Sequence, residues 1–313
     1  MPRRNDPPRS PAKKPPPPPE HRRDLIRVCG LAAVRALFAR DPRRVERLFF
    51  AAALAPQLTA ERQLLAQARK PYRELDEDEL ARVGGTVLHG GVVAVARPHP
   101  LREFDPREAL GWARSRAPLL ILDGVGNPHN LGAIARAAAF FGVERLVLAD
   151  RPEQALASDA SYRIAEGGLD HLLLYRARLP QALPALKPAY RVLGTALGRG
   201  SPLRAAHGSR PTALVLGNEE KGLDEETLAA CDAVVTIAGS GRVQSLNVAA
   251  AAAVLLYALT EGGAAPRASR SSRSSAVSRG APASGRPSTR SKSRAIASNV
   301  ESASRRGSRR SRP

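Results

Sequence analysis

The sequence is poor in cysteine, in aromatic residues and in long apolar runs. Its two cysteines, Cys29 and Cys231, lie far apart among 313 residues, so we expect no disulfide framework. No Cys/His spacing suits a zinc site, and we expect no bound metal. The longest apolar stretch, residues 248–259, is shorter than the roughly 20 residues that span a bilayer. The first twenty residues lack the apolar core of a secretory signal. These absences predict a cytoplasmic protein without a membrane partner.

The positive charge is concentrated at the two ends of the sequence. Residues 1–23 carry +5 and residues 264–313 carry +12 of the formal net charge of +20, which leaves +3 for residues 24–263. Both ends are predicted to be disordered, because residues 15–19 are all proline and the other end is mostly Ser, Arg, Ala and Gly. An Arg-rich arm attracts polyanions such as RNA, although it can also act only as a solubilising tail.

Between the tails, the chain divides into two parts by its pattern. Residues 24–98 predict a small α/β domain, and residues 99–116 predict a linker. Residues 117–263 alternate strand and helix, with strands expected at 119–122, 146–149, 172–175, 191–195, 213–216 and 234–237. Apolar strands such as LLIL at 119–122 indicate burial on both faces, hence a parallel sheet covered by helices. The last helix, residues 246–260, is apolar nearly all round, which predicts burial against the sheet or a second subunit.

The first candidate motif is LDGVGNPHNLGAIARAAAFFG, at residues 122–142. A predicted strand ends in a glycine-rich turn, and Asn130 is of a residue type that caps a helix at its N-terminus. Arg136 follows six residues later, so it returns toward the same side of the helix. An arginine among alanine and phenylalanine is unfavourable unless it meets an anion, or unless it is simply an arginine at the surface.

The second motif is LVLGNEEKGLDEE, at residues 214–226. Gly217 follows an apolar strand, and a glycine there lets the backbone approach a ligand closely. Ligands of open α/β sheets bind beyond the carboxyl ends of the strands, where Glu219 also lies. The same residues would equally suit an ordinary acidic turn.

The third motif is VVTIAGSGRVQSLNVAAAAAVLLYAL, at residues 234–259, with Ser245 and Asn247 where a helix starts. A helix N-terminus offers free N–H groups to a polar ligand, but Ser245 could also merely cap a core helix. Residues 239–244 (GSGRVQ) lack the third glycine of a dinucleotide fingerprint and follow the last strand. A nucleotide-dependent oxidoreductase is therefore disfavoured.

Together, the three motifs resemble those of the SpoU (TrmH) family of RNA 2'-O-ribose methyltransferases. The matching segments are NLGAIAR at 130–136, GNEEKGL at 217–223 and SLNV at 245–248, and the resemblance covers about residues 117–260. Residues 24–98 are similar to the small RNA-binding domain of the family, through VCG at 28–30 and HGGVVA at 89–94.

The resemblance implies a trefoil-knotted parallel sheet, usually in a homodimer, that transfers methyl groups to ribose 2'-hydroxyls of tRNA or rRNA. It implies S-adenosylmethionine as the cofactor, and contacts to it from Gly217, Ile237 and Leu246. Thr195, which ends another strand on the same rim, is a further expected contact. The implied catalytic residues are Asn130, Arg136, Glu219, Ser245 and Asn247. In the family, the arginine that matches Arg136 is thought to help activate the 2'-hydroxyl. Because arginine is normally protonated, we expect Arg136 to bind an RNA phosphate and position that hydroxyl.

The sequence departs from the family pattern at two places. Ala238 and Gly239 stand where the family often has Pro-Met, and Gly90 stands where a glutamine is expected after His89. Neither departure removes an implied catalytic residue. The alternative that the sequence leaves open is a non-catalytic RNA-binding or ribosome-assembly protein.

Overall fold

A computed structural model of the protein describes residues 25–203 and 209–261. Both predicted tails, residues 1–23 and 264–313, lie outside these ranges. Within the ranges, the chain forms a small four-stranded sheet and a large eight-stranded sheet. No helix in this part of the chain is long and apolar enough to cross a membrane.

The small sheet is mixed and comes first in the chain. Its strands are β1 (Ile26–Cys29), β2 (Val45–Phe50), β3 (Tyr72–Glu74) and β4 (Val92–Ala96). Its helices are α1 (Leu31–Arg40), α2 (Thr59–Gln67) and α3 (Glu77–Gly84). In the order β1-β4-β2-β3, β4 is antiparallel to both neighbours and β3 is parallel to β2.

The VCG segment at residues 28–30, which carries part of the family resemblance, ends the first strand, since Val28 and Cys29 lie in β1. The helix begins after Gly30, whose φ of 91° turns the chain sharply in a conformation that favours glycine. Val28 is fully buried, and β1 pairs with β4 from a distant part of the sequence. Pairing with so distant a strand leaves no local signal in the pattern.

The large sheet is parallel throughout, as the sequence predicts. Its strands are β5 (Leu101–Glu103), β6 (Leu119–Asp123), β7 (Arg145–Ala149), β8 (Leu173–Ala177), β9 (Arg191–Thr195), β10 (Ser201–Pro202), β11 (Thr212–Gly217) and β12 (Ala233–Thr236). They lie in the order β10-β12-β9-β11-β6-β7-β8-β5. The chain runs outward from β6 to β8 and then crosses back to build β9, β11 and β12. The strand order therefore reverses between β6 and β11, a usual position for a ligand crevice.

Helices cover both faces of the large sheet. They are α4 (Pro106–Trp112), α5 (Pro128–Phe140), α6 (Asp159–Ala165), α7 (Leu179–Leu186), α8 (Glu225–Ala229) and α9 (Val248–Glu261). In β6, Leu120 and Leu122 join the apolar core on the side of α5, α6 and α9, whereas Leu119 and Ile121 join the core beside α4 and α7. The continuous apolar run of this strand thus follows from burial on both sides.

The predicted linker contains regular structure. Strand β5 extends the large sheet by pairing with β8, and helix α4 follows it. Trp112 at the end of α4 packs against Tyr175 of β8, with ring centroids 4.9 Å apart. The segment is therefore part of the large sheet, because an edge strand and an aromatic contact with distant residues hold it there.

The last helix is buried on one side only. In α9, Ala252, Leu255 and Leu256 are buried in the core that α5 shares. Val254 and Tyr257 on the same helix remain 45% and 50% exposed. The large sheet and α5 therefore cover only part of the apolar surface that the sequence predicts for this helix.

A buried ion pair joins the small sheet to the large one. Arg44, just before β2, contacts Asp170 at 2.5 Å, and their side chains are 5% and 0% exposed. A second guanidinium nitrogen of Arg44 donates to the hydroxyl of Tyr162 in α6 at 2.8 Å. Around this pair, the apolar core of the small sheet is continuous with that of the large sheet.

Replacing Arg44 by alanine is expected to destabilise the fold strongly, because it leaves the Asp170 carboxylate buried without its partner. Removing one member of a buried pair costs about 3–5 kcal/mol of unfolding free energy. Denaturant unfolding measures the loss of unfolding free energy. The control is Arg97→Ala, which removes an ion pair between Glu46 and a side chain that is 58% exposed. That control should lose about 1 kcal/mol or less. Equal losses in the two variants would contradict the structural role of the buried pair.

Candidate active site

Side chains from all three sequence motifs meet at one edge of the large sheet. Asn130 in the first turn of α5 donates from its amide nitrogen to Glu219 at 2.7 Å. The amide oxygen of Asn130 accepts a hydrogen bond of 3.0 Å from the side chain of Asn247. Asn130 therefore bridges the loops that follow β11 and β12 to the helix that follows β6. We call this chain of three side chains the Asn130 bridge.

At both helix starts, the residue that caps the helix is not the one that the sequence suggested. Asn127, not Asn130, caps α5, since its side chain accepts from the backbone nitrogen of His129 at 2.8 Å. Pro128 occupies the first helical position, which moves the cap three residues upstream of the expected one. Asn130 is thereby free to point its amide at the other two loops. At α9, Asn247 rather than Ser245 accepts from a first-turn nitrogen, that of Ala249 at 2.8 Å.

The loop after β11 is held in a tight turn. Backbone hydrogen bonds join Asn218 and Gly222 in both directions, and the Asn218 side chain donates to the carbonyl of Gly124 at 2.8 Å. A Cβ on Gly217 would collide with the carbonyl carbon of Gly222 and lie 2.5 Å from the nitrogen of Leu223. Position 217 therefore requires glycine for a close approach of two backbone segments. Asn218, given no role from the sequence, links this loop to the first motif.

Glu219 is more than a solvated charge on an acidic turn. Besides accepting from Asn130, its carboxylate lies 3.4 Å from the backbone nitrogens of Gly126 and Asn127, which point toward it. These donors precede α5, where the helix dipole also favours a negative charge. The carboxylate is thus held in a fixed direction at the edge of the crevice, although the residue remains exposed.

A cavity of about 470 Å³ opens between the carboxyl ends of β9, β11 and β12 and the segment that leads to α9. All four residues predicted to contact a cofactor line it: Thr195, Gly217, Ile237 and Leu246. Glu219 and Ser245 line it as well. The segment over the cavity, residues 239–247, is exposed throughout. The volume falls within the range of roughly 300–1,000 Å³ that small-molecule sites occupy.

Arg136 does not join this group. Its guanidinium pairs with Glu166 at 2.8 Å, and the two side chains are 57% and 58% exposed. Six residues of helix separate it from Asn130 by about 9 Å along the axis. Arg136 is not among the residues that line the cavity. Asn130 and Arg136 therefore do not face the same side of the helix, as their spacing predicted, because α5 turns Asn130 toward the loops and Arg136 toward α6.

Two buried side chains to which the sequence assigned no role support the end of β6 and the loop after it. Gln154 accepts from the backbone nitrogen of Gly124 at 3.0 Å and donates to the carbonyl of Val125 at 3.1 Å. Asp123 accepts from the hydroxyl of Thr227 at 2.8 Å and pairs with Arg151 at 2.9 Å. Burial raises the pKa of Asp123, against the opposing effect of these two partners. Gln154 lies between predicted elements, so its sequence neighbourhood carried no signal.

Two family models match the chain in the regions that form the two sheets. The model described as the SpoU rRNA Methylase family matches residues 117–257. The model described as RNA 2'-O ribose methyltransferase substrate binding matches residues 27–101. Together they cover the part of the chain that holds all three motifs and the small sheet.

Proteins of similar sequence and structure bear related names. The 23S rRNA (guanosine-2'-O-)-methyltransferase RlmB of Acinetobacter baylyi is 33% identical over 236 residues, which are 73% of this chain and 94% of that protein. The uncharacterized tRNA/rRNA methyltransferase YfiF of Escherichia coli O157:H7 is 33% identical over 74% of this chain and 66% of that protein. The AdoMet-bound rRNA methyltransferase from Sinorhizobium meliloti shares the fold, with a TM-score of 0.62 and 21% identity over 78% of this chain and 90% of that one.

The extent of the match to RlmB, together with the family model over the large sheet, is sufficient to assign the family. The expectation drawn from the three motifs is confirmed: the chain belongs to the SpoU rRNA methylase family.

Proposed function

We propose that this protein transfers a methyl group from S-adenosylmethionine to a ribose 2'-hydroxyl of tRNA or rRNA. The observation that carries the proposal is the Asn130 bridge, which ties the first motif to Glu219 and Asn247 of the other two motifs, whose loops line one cavity. Membership of the SpoU family and the names of the relatives support the reaction and the class of substrate.

The cavity suits S-adenosylmethionine in size and in chemistry. Leu197, Ile237 and Leu246 offer apolar surface for the adenine ring, while Thr195 and the backbone around Gly217 offer polar groups for the ribose and the amino acid part. The close packing at Gly217 removes any side chain that would narrow the crevice. When bound, the cofactor supplies a methyl group on a positively charged sulfur.

The chain's own residues serve mainly to position the RNA sugar. Glu219, Asn130 and Asn247 form a hydrogen-bonded group at the mouth of the cavity, and Ser245 adds a hydroxyl on its wall. Amide, hydroxyl and carboxylate groups can bind the hydroxyls of a ribose from several directions. A poor nucleophile such as a 2'-hydroxyl gains most from being held in line with the group it attacks.

We assign to Arg136 the binding of an RNA phosphate. Its guanidinium stands at the surface, where a phosphate can reach it. We therefore assign binding of the phosphate and orientation of the 2'-hydroxyl to Arg136, rather than removal of the proton.

We further propose that the protein is a homodimer. Phe140 is 82% exposed and lies four residues after Arg136 on α5, beside Phe141 and Tyr257 of α9. A second copy on this surface would cover apolar side chains that one chain leaves in water. Such an interface would also adjoin Arg136.

We extend the family resemblance to a trefoil knot in the large sheet and to a cytoplasmic location, where tRNA and ribosomes are found.

The Arg-rich segment at residues 264–313 is assigned to general attraction of RNA. Its net charge of +12 would add affinity that falls with salt and is independent of RNA sequence. The small domain, whose region matches a substrate-binding family model, would supply the selective contacts.

The proposal predicts that purified protein methylates RNA and that Arg136→Ala loses at least about 100-fold in kcat, since a misplaced hydroxyl reacts slowly. Transfer of labelled methyl groups to rRNA and tRNA measures the rate. The control is Arg178→Ala, an arginine between β8 and α7 that is 80% exposed and pairs with Asp150. Wild-type activity in Arg136→Ala would refute its role. Absence of cofactor binding by calorimetry would favour the non-catalytic RNA-binding alternative.

A second prediction concerns the crevice. Gly217→Ala forces the turn at 218–222 away from β11 and should weaken S-adenosylmethionine binding by about tenfold or more, given the 1–3 kcal/mol that overpacking costs. Gly239→Ala is the matched control, because that glycine also lines the cavity but a Cβ there meets nothing within 4 Å. Calorimetric titration of both variants with S-adenosylmethionine measures the two affinities. Similar cofactor affinities in the two variants would be evidence against this crevice as the binding site.

A further inference from the structure

The ion pair between Arg136 and Glu166 lies at an unusual point of the backbone. Glu166 ends α6 in the left-handed conformation, with φ of 45° and ψ of 44°. Only Arg69 and Arg116 share a positive φ among the other described residues that are not glycine. Such a conformation favours glycine, so a glutamate there carries a local cost. The cost indicates that the carboxylate itself has a use at this position.

The glycines that follow Glu166 fasten this turn to α5. A Cβ on Gly168 would lie 2.8 Å from the Cα of Arg136 and 2.9 Å from the carbonyl oxygen of Ala135. The backbone that carries Glu166 thus packs directly against the backbone that carries Arg136. This contact places the turn that carries Glu166 beside the helix that carries Arg136.

The same turn is also fastened to the small domain. A Cβ on Gly167 would lie 3.0 Å from the Cβ of Ala36 in α1. Three residues later, Asp170 forms the buried ion pair with Arg44. The segment 166–170 therefore touches α1 and Arg44 on one side and α5 on the other. It is a direct structural connection between the small domain and Arg136.

An exposed ion pair of this kind contributes little to stability. The ion pair instead limits the orientation of the Arg136 guanidinium, because it restricts a long side chain that otherwise samples many rotamers. The pair engages Nη1 of Arg136, which leaves other donors of the guanidinium for a second anion. Glu166 and an RNA phosphate can therefore bind the same arginine together.

We propose that Glu166 is a positioning residue for Arg136, held in place by the small domain through the segment 166–170. The inference rests on the proposed function, since it assumes that Arg136 binds the RNA phosphate. Glu166 orients the guanidinium before RNA arrives, so that the sugar next to the bound phosphate meets the cavity in the reactive direction.

The variant Glu166→Gly tests the proposal with little risk to the fold, because glycine favours the backbone conformation found there. Its melting temperature should equal or exceed that of the wild type. Its kcat for methyl transfer should fall on the order of tenfold at saturating RNA, while the affinity for S-adenosylmethionine stays within about twofold. Glu166→Gln should show the same fall in kcat. The matched control is Glu144→Gln, which breaks an ion pair of 2.9 Å with Arg145 from a carboxylate that is 66% exposed.

A readout independent of activity is the NMR signal of the Arg136 Nε–H, assigned by its loss in Arg136→Lys. Relaxation should reveal an ordered guanidinium in the wild type and a mobile one in Glu166→Gly, without RNA or cofactor. Equal mobility in the two proteins, or unchanged kcat in an active enzyme, would overturn the role of Glu166. If the wild type transfers no methyl group, the proposed function fails, and the Nε–H signal still decides whether Glu166 orders Arg136.

Discussion

The candidate site depends on one amide side chain that makes two hydrogen bonds. Asn130 donates to Glu219 and accepts from Asn247, so it joins residues 89 and 117 positions away in the sequence. The loop after β12 has few other constraints, since residues 239–247 are exposed throughout, whereas the loop after β11 also has the hydrogen bonds of its own turn. An amide can serve both partners because it carries a donor and an acceptor on one rigid plane.

The parallel sheet makes such a bridge possible. Because all eight strands run the same way, the ends of β6, β11 and β12 lie on one edge, and the loops after them meet there. The core holds that edge steady, with β6 and β11 buried on both faces. Behind the edge, Gln154 fixes the loop that leads to Asn130, and Asp123 joins the end of β6 to α8. A rigid scaffold thus presents a small group of polar side chains, as a site for a flexible substrate requires.

The fold class and the meeting of the motifs could be predicted from the sequence, because apolar strands and glycine turns leave local patterns. Features that depend on contacts between distant residues could not be predicted in this way. Strands β1 and β5 depend on pairing with β4 and β8, and Gln154 acts through a loop that is 30 residues away. The helix cap was misplaced by three residues, since Asn127 and Asn130 are the same residue type near one helix start. The partner of Arg136 could not be predicted either, because Glu166 belongs to a turn that leaves no local pattern.

Amide hydrogen exchange in Asn130→Ala tests the central claim, that one side chain couples the three loops. The account predicts faster exchange in residues 218–223 and 239–247, although the substitution lies in α5, because both loops lose the partner that restrains them. Exchange that changes only around residues 128–131, with the other two loops protected as in the wild type, would contradict it.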